Sequence, residues 1–225
     1  MNQPFVKFLI RKDFFLFRGP ILAYSLAAIA SLIVASGNRV EMFYLGSILI
    51  LTVLISLGIH IAFGMILEER TRKTLPFVLS MPVTPSQYLI AKLLASLALF
   101  LIPWTIVLGG MWIAVLSQPT LPNGVAPFFT VVLLELLAAT SVLIAFALLT
   151  ESMAWTIAIM VTNNIFINLY LPWLGRFESV QSANKSELIQ WPTVLLAFTL
   201  VEAVVILLAF AAVLTLQRFK RNYIQ

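Results

Sequence analysis

An all-α membrane protein with six transmembrane helices is the fold class this sequence predicts, and three observations carry the prediction. Of 225 residues, 61% are hydrophobic and 10% charged, whereas soluble domains carry about a quarter charged residues. The apolar residues gather into runs at about 20–36, 42–67, 88–116, 126–149, 152–174 and 191–216, each near the roughly 20 residues that cross a hydrocarbon core of ~30 Å. None of these runs alternates as the strands of a barrel would. Little chain is left for a water-exposed domain. Cysteine is absent, which excludes disulfides, thiolate metal sites and cysteine nucleophiles.

The elements follow in order. PFVKFLIRKDFFLFR places Lys7, Arg11 and Arg18 on one side of a helical wheel, with phenylalanine and leucine filling much of the rest. Residues 1–19 therefore read as an N-terminal interfacial helix lying at the membrane surface before the chain turns upward. Its long, phenylalanine-rich basic stretch argues for a retained helix rather than a cleaved signal peptide. The remainder, 20–225, holds the six spans. Pro20, Pro127 and Pro192 fall at helix starts, where a missing N–H costs little, and Pro103 falls inside the third run, where a kink is expected. Glu151 follows Thr150 at the expected start of a helix, where an acid complements the dipole. Two segments lie outside the spans on the far side: the uncharged turn 117–125 and the polar loop 175–190, with room for one short helix.

Charge sets the orientation. With the N-terminus inside, the inner segments hold 11 of the 14 lysines and arginines, and the outer loops hold only Arg39, Arg176 and Lys185. The positive-inside rule then puts both termini in the cytoplasm. The net charge of +5 reflects that loop bias, so no nucleic-acid partner is inferred.

The loop 68–87 is the most informative stretch. Thr84-Pro85-Ser86-Gln87 has the form of a capping box, so the third span begins near Pro85. Upstream, Thr74 can cap a helix of about two turns over 75–81, closed by Pro82. Such a short helix needs packing to persist in water. Its Leu75, Phe77, Val78, Leu79 and Met81 are too apolar for a solvated loop and suit a groove on another protein. An amphipathic anchor on the bilayer surface is the other reading.

EERTRKTLPFVLSMPVTPSQYLIAKLL resembles the cytoplasmic loop between the second and third spans of ATP-binding-cassette (ABC) type-2 permeases. Glu68, Glu69, Thr74, Leu75, Val78, Leu79, Pro82, Val83 and Lys92 occupy the matching positions. Lys73 departs from that family's usual glycine, and Pro76 stands where an acid is frequent. Six spans, an interfacial N-terminal helix and cytoplasmic termini extend the resemblance over the whole chain. It implies that 75–81 is a coupling helix inserted into a separate ABC ATPase subunit. Thr74, Leu75, Phe77, Val78, Leu79 and Met81 would make the contact, ringed by charges that include Glu69 and Arg72. It also implies two permease copies, as a homodimer or pseudo-dimer, with ATP and Mg bound by the partner subunit, export as the direction, and a bacterial inner membrane as the location.

No GxxxxGK[ST] loop occurs, so this chain is not expected to cradle ATP itself. HExxH and GxSxG are also missing, and a non-catalytic subunit is expected. Ionisable and polar residues within spans are the remaining candidates, because a charge at a helix centre costs ~2.5–3.5 kcal/mol and tends to face a bundle interior or water. At ~1.5 Å per residue, Glu135, Glu202, Asn163 and Asn164 fall in one layer near the midplane, with His60 nearer the cytoplasm. They read either as the lining of a translocation path or as interhelical hydrogen bonding that holds the bundle. A proton-coupled secondary transporter using Glu135, Glu202 and His60 is the alternative function. No internal repeat or pair of broken helices supports it.

Overall fold

Backbone groups in hydrocarbon find no water, so a spanning chain keeps its hydrogen bonds within helices. The computed structural model, which describes residues 3–71 and 85–221, follows that constraint throughout. Its elements are α1 (Gln3–Ala35), α2 (Val40–His60), α3 (Pro85–Ser117), α4 (Val125–Thr150), α5 (Met153–Leu174), α6 (Glu178–Asn184) and α7 (Thr193–Arg221). After His60, α2 continues as a π-helical segment, Ile61–Leu67, and one last α turn, Glu68–Thr71. Six helices are long and apolar enough to cross a membrane, and the chain is a multi-pass membrane protein. The short α6 occupies the expected place in the loop 175–190.

Two local expectations are corrected. The interfacial helix of residues 1–19 and the first span are one continuous helix, with Pro20 in its interior rather than at a helix start. Breaking the chain there would leave more backbone groups unpaired in an apolar setting than the single bond that proline removes. At about 1.5 Å per residue the helix runs roughly 50 Å, so its basic first turns extend beyond the core. Glu151 is not in the first turn of α5. It caps the C-terminus of α4 in the left-handed region, with φ 58°, and its N–H reaches the Ala147 carbonyl. Pro172 lies inside α5 close to its end, a position the apolar run conceals. Pro127, the third residue of α4, and Pro192, directly before α7, sit as expected.

Helix α4 is the hub of the bundle. In its most apolar stretch 67% of residues are buried, against 17% for both α5 and α7, and it contacts α2, α3, α5 and α7. Trp104 Nε1 donates to the Leu133 carbonyl at 2.7 Å and Trp112 Nε1 to Thr130 Oγ1 at 2.9 Å, fixing α3 to α4. Helix α1 lies on α2 and α3. Its end approaches α2 so closely that a β-carbon on Gly46 would collide with the backbone of Ala35. Gln118 closes that corner, donating to the Ala35 carbonyl at 2.9 Å. At the same end, the Gly124 N–H donates to Ser186 O at 3.0 Å, and Asn123 Nδ2 to Glu187 O at 3.1 Å. The loop bearing α6 is thereby tied to the start of α4.

Candidate functional site

Two polar centres interrupt the apolar bundle, one at the end that carries the termini and one at mid-depth. The first is a charge cluster joining α1, the end of α2 and the start of α3. Leu9 and Asp13, four residues apart and so on one face of α1, meet Tyr88, Ala91 and Lys92 of α3. The Lys92 side chain is only 2% exposed. Its Nζ lies 3.1 Å from Asp13 Oδ1 and 2.9 Å from Glu69 Oε1, and donates to the Met65 carbonyl at 3.2 Å. Lys12 Nζ approaches the same Glu69 oxygen at 2.8 Å, and the Tyr88 hydroxyl donates to Glu69 Oε2 at 2.8 Å.

Among the described residues, Lys12 and Lys92 thus face Asp13 and Glu69. Burial alone would push the Glu69 carboxyl up, but Lys92 and Lys12 outweigh it and hold the group below the usual carboxylate range. Asp13 Oδ2 is buried without a hydrogen-bond partner among the described residues. The π-helical winding delivers Glu69 to this place: the Glu68 N–H reaches back five residues to the Phe63 carbonyl, and Glu69 follows directly. Glu69 precedes the segment 72–84, and Tyr88 and Lys92 follow it. Both stems of that segment are therefore clamped to α1. Arg72, Thr74, Leu75, Phe77, Val78, Leu79 and Met81, the expected partner-binding residues, lie outside the described residues.

The second centre is a cleft of ≈ 250 Å³ between α4, α5 and α7, lined by Glu135, Asn163, Tyr170 and Glu202 among apolar and aromatic groups. The Tyr170 hydroxyl donates to Glu202 Oε1 at 2.5 Å. Glu202 Oε2 is buried and has no hydrogen-bond partner among the described residues. Asn163 Nδ2 donates to the Ala139 carbonyl at 2.8 Å, crossing from α5 to α4. Phe198 stands edge-on to Tyr170 and to Trp173, with centroids 5.8 Å and 5.3 Å apart, and Phe166 stacks on Tyr170 at 5.7 Å.

Glu135, Glu202 and Asn163 are thus brought together as the helix depths suggest. Asn164 points back along α5, donating to the Met160 carbonyl at 2.9 Å. His60 stands apart near the π-helical segment, 3.4 Å from the Tyr24 hydroxyl and edge-on to Phe17, and it does not line the cleft. Among the described residues, no three His, Cys, Asp or Glu side chains converge as a metal site.

Sequence reasoning passes over Tyr170, Asp13, Lys12 and Tyr88 as site residues, and reads Lys92 only as part of a motif. A signal existed for the charged ones. Asp13 is the lone acid in a basic, phenylalanine-rich helix, and Lys92 is the lone cation inside the third apolar run. Each lone charge in an apolar setting implies a partner of opposite sign. Tyr170 gives no such signal, since an aromatic ring in a span is ordinary.

A family model described as ABC-2 family transporter protein matches residues 18–190, which include the charge cluster apart from Lys12 and Asp13, and the mid-depth cleft apart from its α7 wall. No curated protein and no solved structure matches the chain.

Proposed function

Because this chain belongs to the ABC-2 transporter family, we propose that it is a permease subunit driven by ATP hydrolysed on a separate partner chain, and that it works as an exporter. The family match carries the reading. The charge cluster supports it, because it gives the segment 72–84 rigid stems: a push on a loop moves a helix bundle only when the loop cannot flex at its base. In this reading the segment 75–81 docks on an ABC ATPase subunit, with Leu75, Phe77, Val78, Leu79 and Met81 as its apolar face. Thr74 caps it, and Glu69 and Arg72 flank it. Closure of the ATPases around ATP and Mg pushes the loop, and the clamp at Asp13, Glu69 and Lys92 passes that motion to α1, α2 and α3 together. Two permease copies meet in the inner membrane with their termini on the ATPase side. The cleft holding Glu135, Asn163 and Glu202 lies on the translocation path.

The test is co-purification. Expressed with a candidate ABC ATPase subunit from the same genome, the detergent-extracted chain is expected to carry that subunit through affinity and size-exclusion steps. Deletion of residues 75–81 is expected to release it while leaving a monodisperse permease. Retention of the ATPase by the deleted form would refute docking through this loop.

A further inference from the structure

The mid-depth cleft has a chemistry that selects its occupant. Glu135 and Glu202 are 9% and 3% exposed, and among the described residues no lysine or arginine lines the cleft with them. Buried carboxyls without a basic partner are costly unless something positive, or a proton, comes to them. One oxygen of Glu202 is engaged by Tyr170, and the other has no hydrogen-bond partner among the described residues. The remaining wall is aromatic: Phe166, Trp173 and Phe198 share the cleft with both carboxyls. A hard metal ion such as Ca²⁺ or Mg²⁺ takes six or more oxygen ligands, more than this wall supplies. An anion would be repelled. Aromatic faces beside carboxylates instead suit an organic cation.

We propose that this cleft binds the charged head of an organic cation, held by Glu202 and Glu135 and flanked by the rings of Phe166, Trp173 and Phe198. On the permease reading above, cations of this class are the transported substrate. The volume of ≈ 250 Å³ falls below the roughly 300–1,000 Å³ of pockets that enclose a drug-sized ligand, so the cleft takes a head group and leaves a tail outside. Phe166 and Trp173 are half exposed, at 50% and 49%. The cleft therefore opens sideways on the outer surface of α5, where an apolar tail has somewhere to lie. An amphipathic amine or quaternary ammonium fits both parts.

The experiment uses the full chain in an uncharged maltoside detergent, without any ATPase, so that its outcome is independent of the docking test. Benzyltrimethylammonium and its neutral carbon isostere, neopentylbenzene, are titrated separately by calorimetry. The cation is expected to bind saturably and about tenfold or more tighter than the isostere. Glu202→Gln is expected to remove most of that preference, and Phe198→Leu to weaken the cation severalfold. Equal affinity for the two probes, absence of saturable binding, or an unchanged preference in Glu202→Gln each overturns the proposal and leaves the carboxyls as interhelical hydrogen-bonding groups. If Glu202→Gln is not monodisperse, Glu135→Gln decides, and an unchanged preference there overturns it equally. Cation binding by a chain that never captures an ATPase would retain the site and discard the motor. ATPase capture without cation preference would do the reverse.

Discussion

Replacing Lys92 with methionine tests the charge cluster most directly. The substitution keeps an unbranched side chain of similar length and removes the ammonium that lies 3.1 Å from Asp13, 2.9 Å from Glu69 and 3.2 Å from the Met65 carbonyl. Removing one partner of a buried ion pair costs about 3–5 kcal/mol, because the charge left behind stays buried. Here Lys12 remains 2.8 Å from Glu69 and 3.4 Å from Asp13, and is 27% exposed. Glu69 keeps a close cation while Asp13 keeps a poor one, so the expected loss is near the low end, about 3 kcal/mol.

For a chain of this size each kcal/mol moves the melting temperature by about 2–4 °C. Lys92→Met should therefore melt roughly 6–12 °C lower when tryptophan fluorescence is followed on heating in detergent. The double variant Lys92→Met with Asp13→Leu should recover most of the loss, since a buried pair replaced by apolar groups of similar size is often neutral or stabilising. A single variant that melts with the parent, or a double variant less stable than the single, would refute the claim that Lys92 and Asp13 compensate each other.

The remaining predictions follow from other contacts. Glu69 titrates below the ordinary value of 4.5, so its contribution is complete above that pH and is lost as pH falls through the lower folded value; melting curves of the parent and Glu69→Gln should converge in acid, and parallel curves would contradict the assignment. Tyr170→Phe removes the 2.5 Å bond to Glu202 and should destabilise by about 1–3 kcal/mol, with Glu202→Leu in the same chain restoring much of it. Gly46→Ala sets a methyl against the backbone of Ala35 and should cost about 1–3 kcal/mol, read as a lower melting temperature; an unchanged value would mean that α1 and α2 part freely.

The spans were legible because hydrocarbon imposes a single rule on the backbone, and apolar length is its trace. The start of the third span expected from Thr84-Pro85-Ser86-Gln87 is a different case: α3 is helical from Pro85 onward, while Thr84, the expected cap, lies outside the described residues. Pro20 shows where such local reading stops. A proline at the edge of an apolar run looks like a helix start, but the neighbours that make continuation cheaper lie on other helices. The mid-depth layer could be ranked by counting residues, which places Glu135, Asn163 and Glu202 at similar depth. Counting cannot show which way a side chain turns, so Asn164, one residue from Asn163, was grouped with the layer although it does not line the cleft. Lys92 and Asp13 are 79 positions apart, and only the packing of α1 on α3 introduces them.

The wide winding between His60 and Glu68 sets the angle at which the end of α2 leaves the bundle. A π turn takes up more residues than an α turn, so rewinding Ile61–Leu67 as ordinary α-helix would swivel everything past Leu67 around the axis of α2. Glu69 would swing off Lys92 and Lys12, and the Tyr88 hydroxyl would lose its acceptor. On the proposed coupling to an ATPase, torque arriving at Thr71 would have two places to go, into the pitch of this stretch or into the whole bundle. The contacts of Lys92 with Glu69, Asp13 and the Met65 carbonyl oppose the first of these and would favour the second.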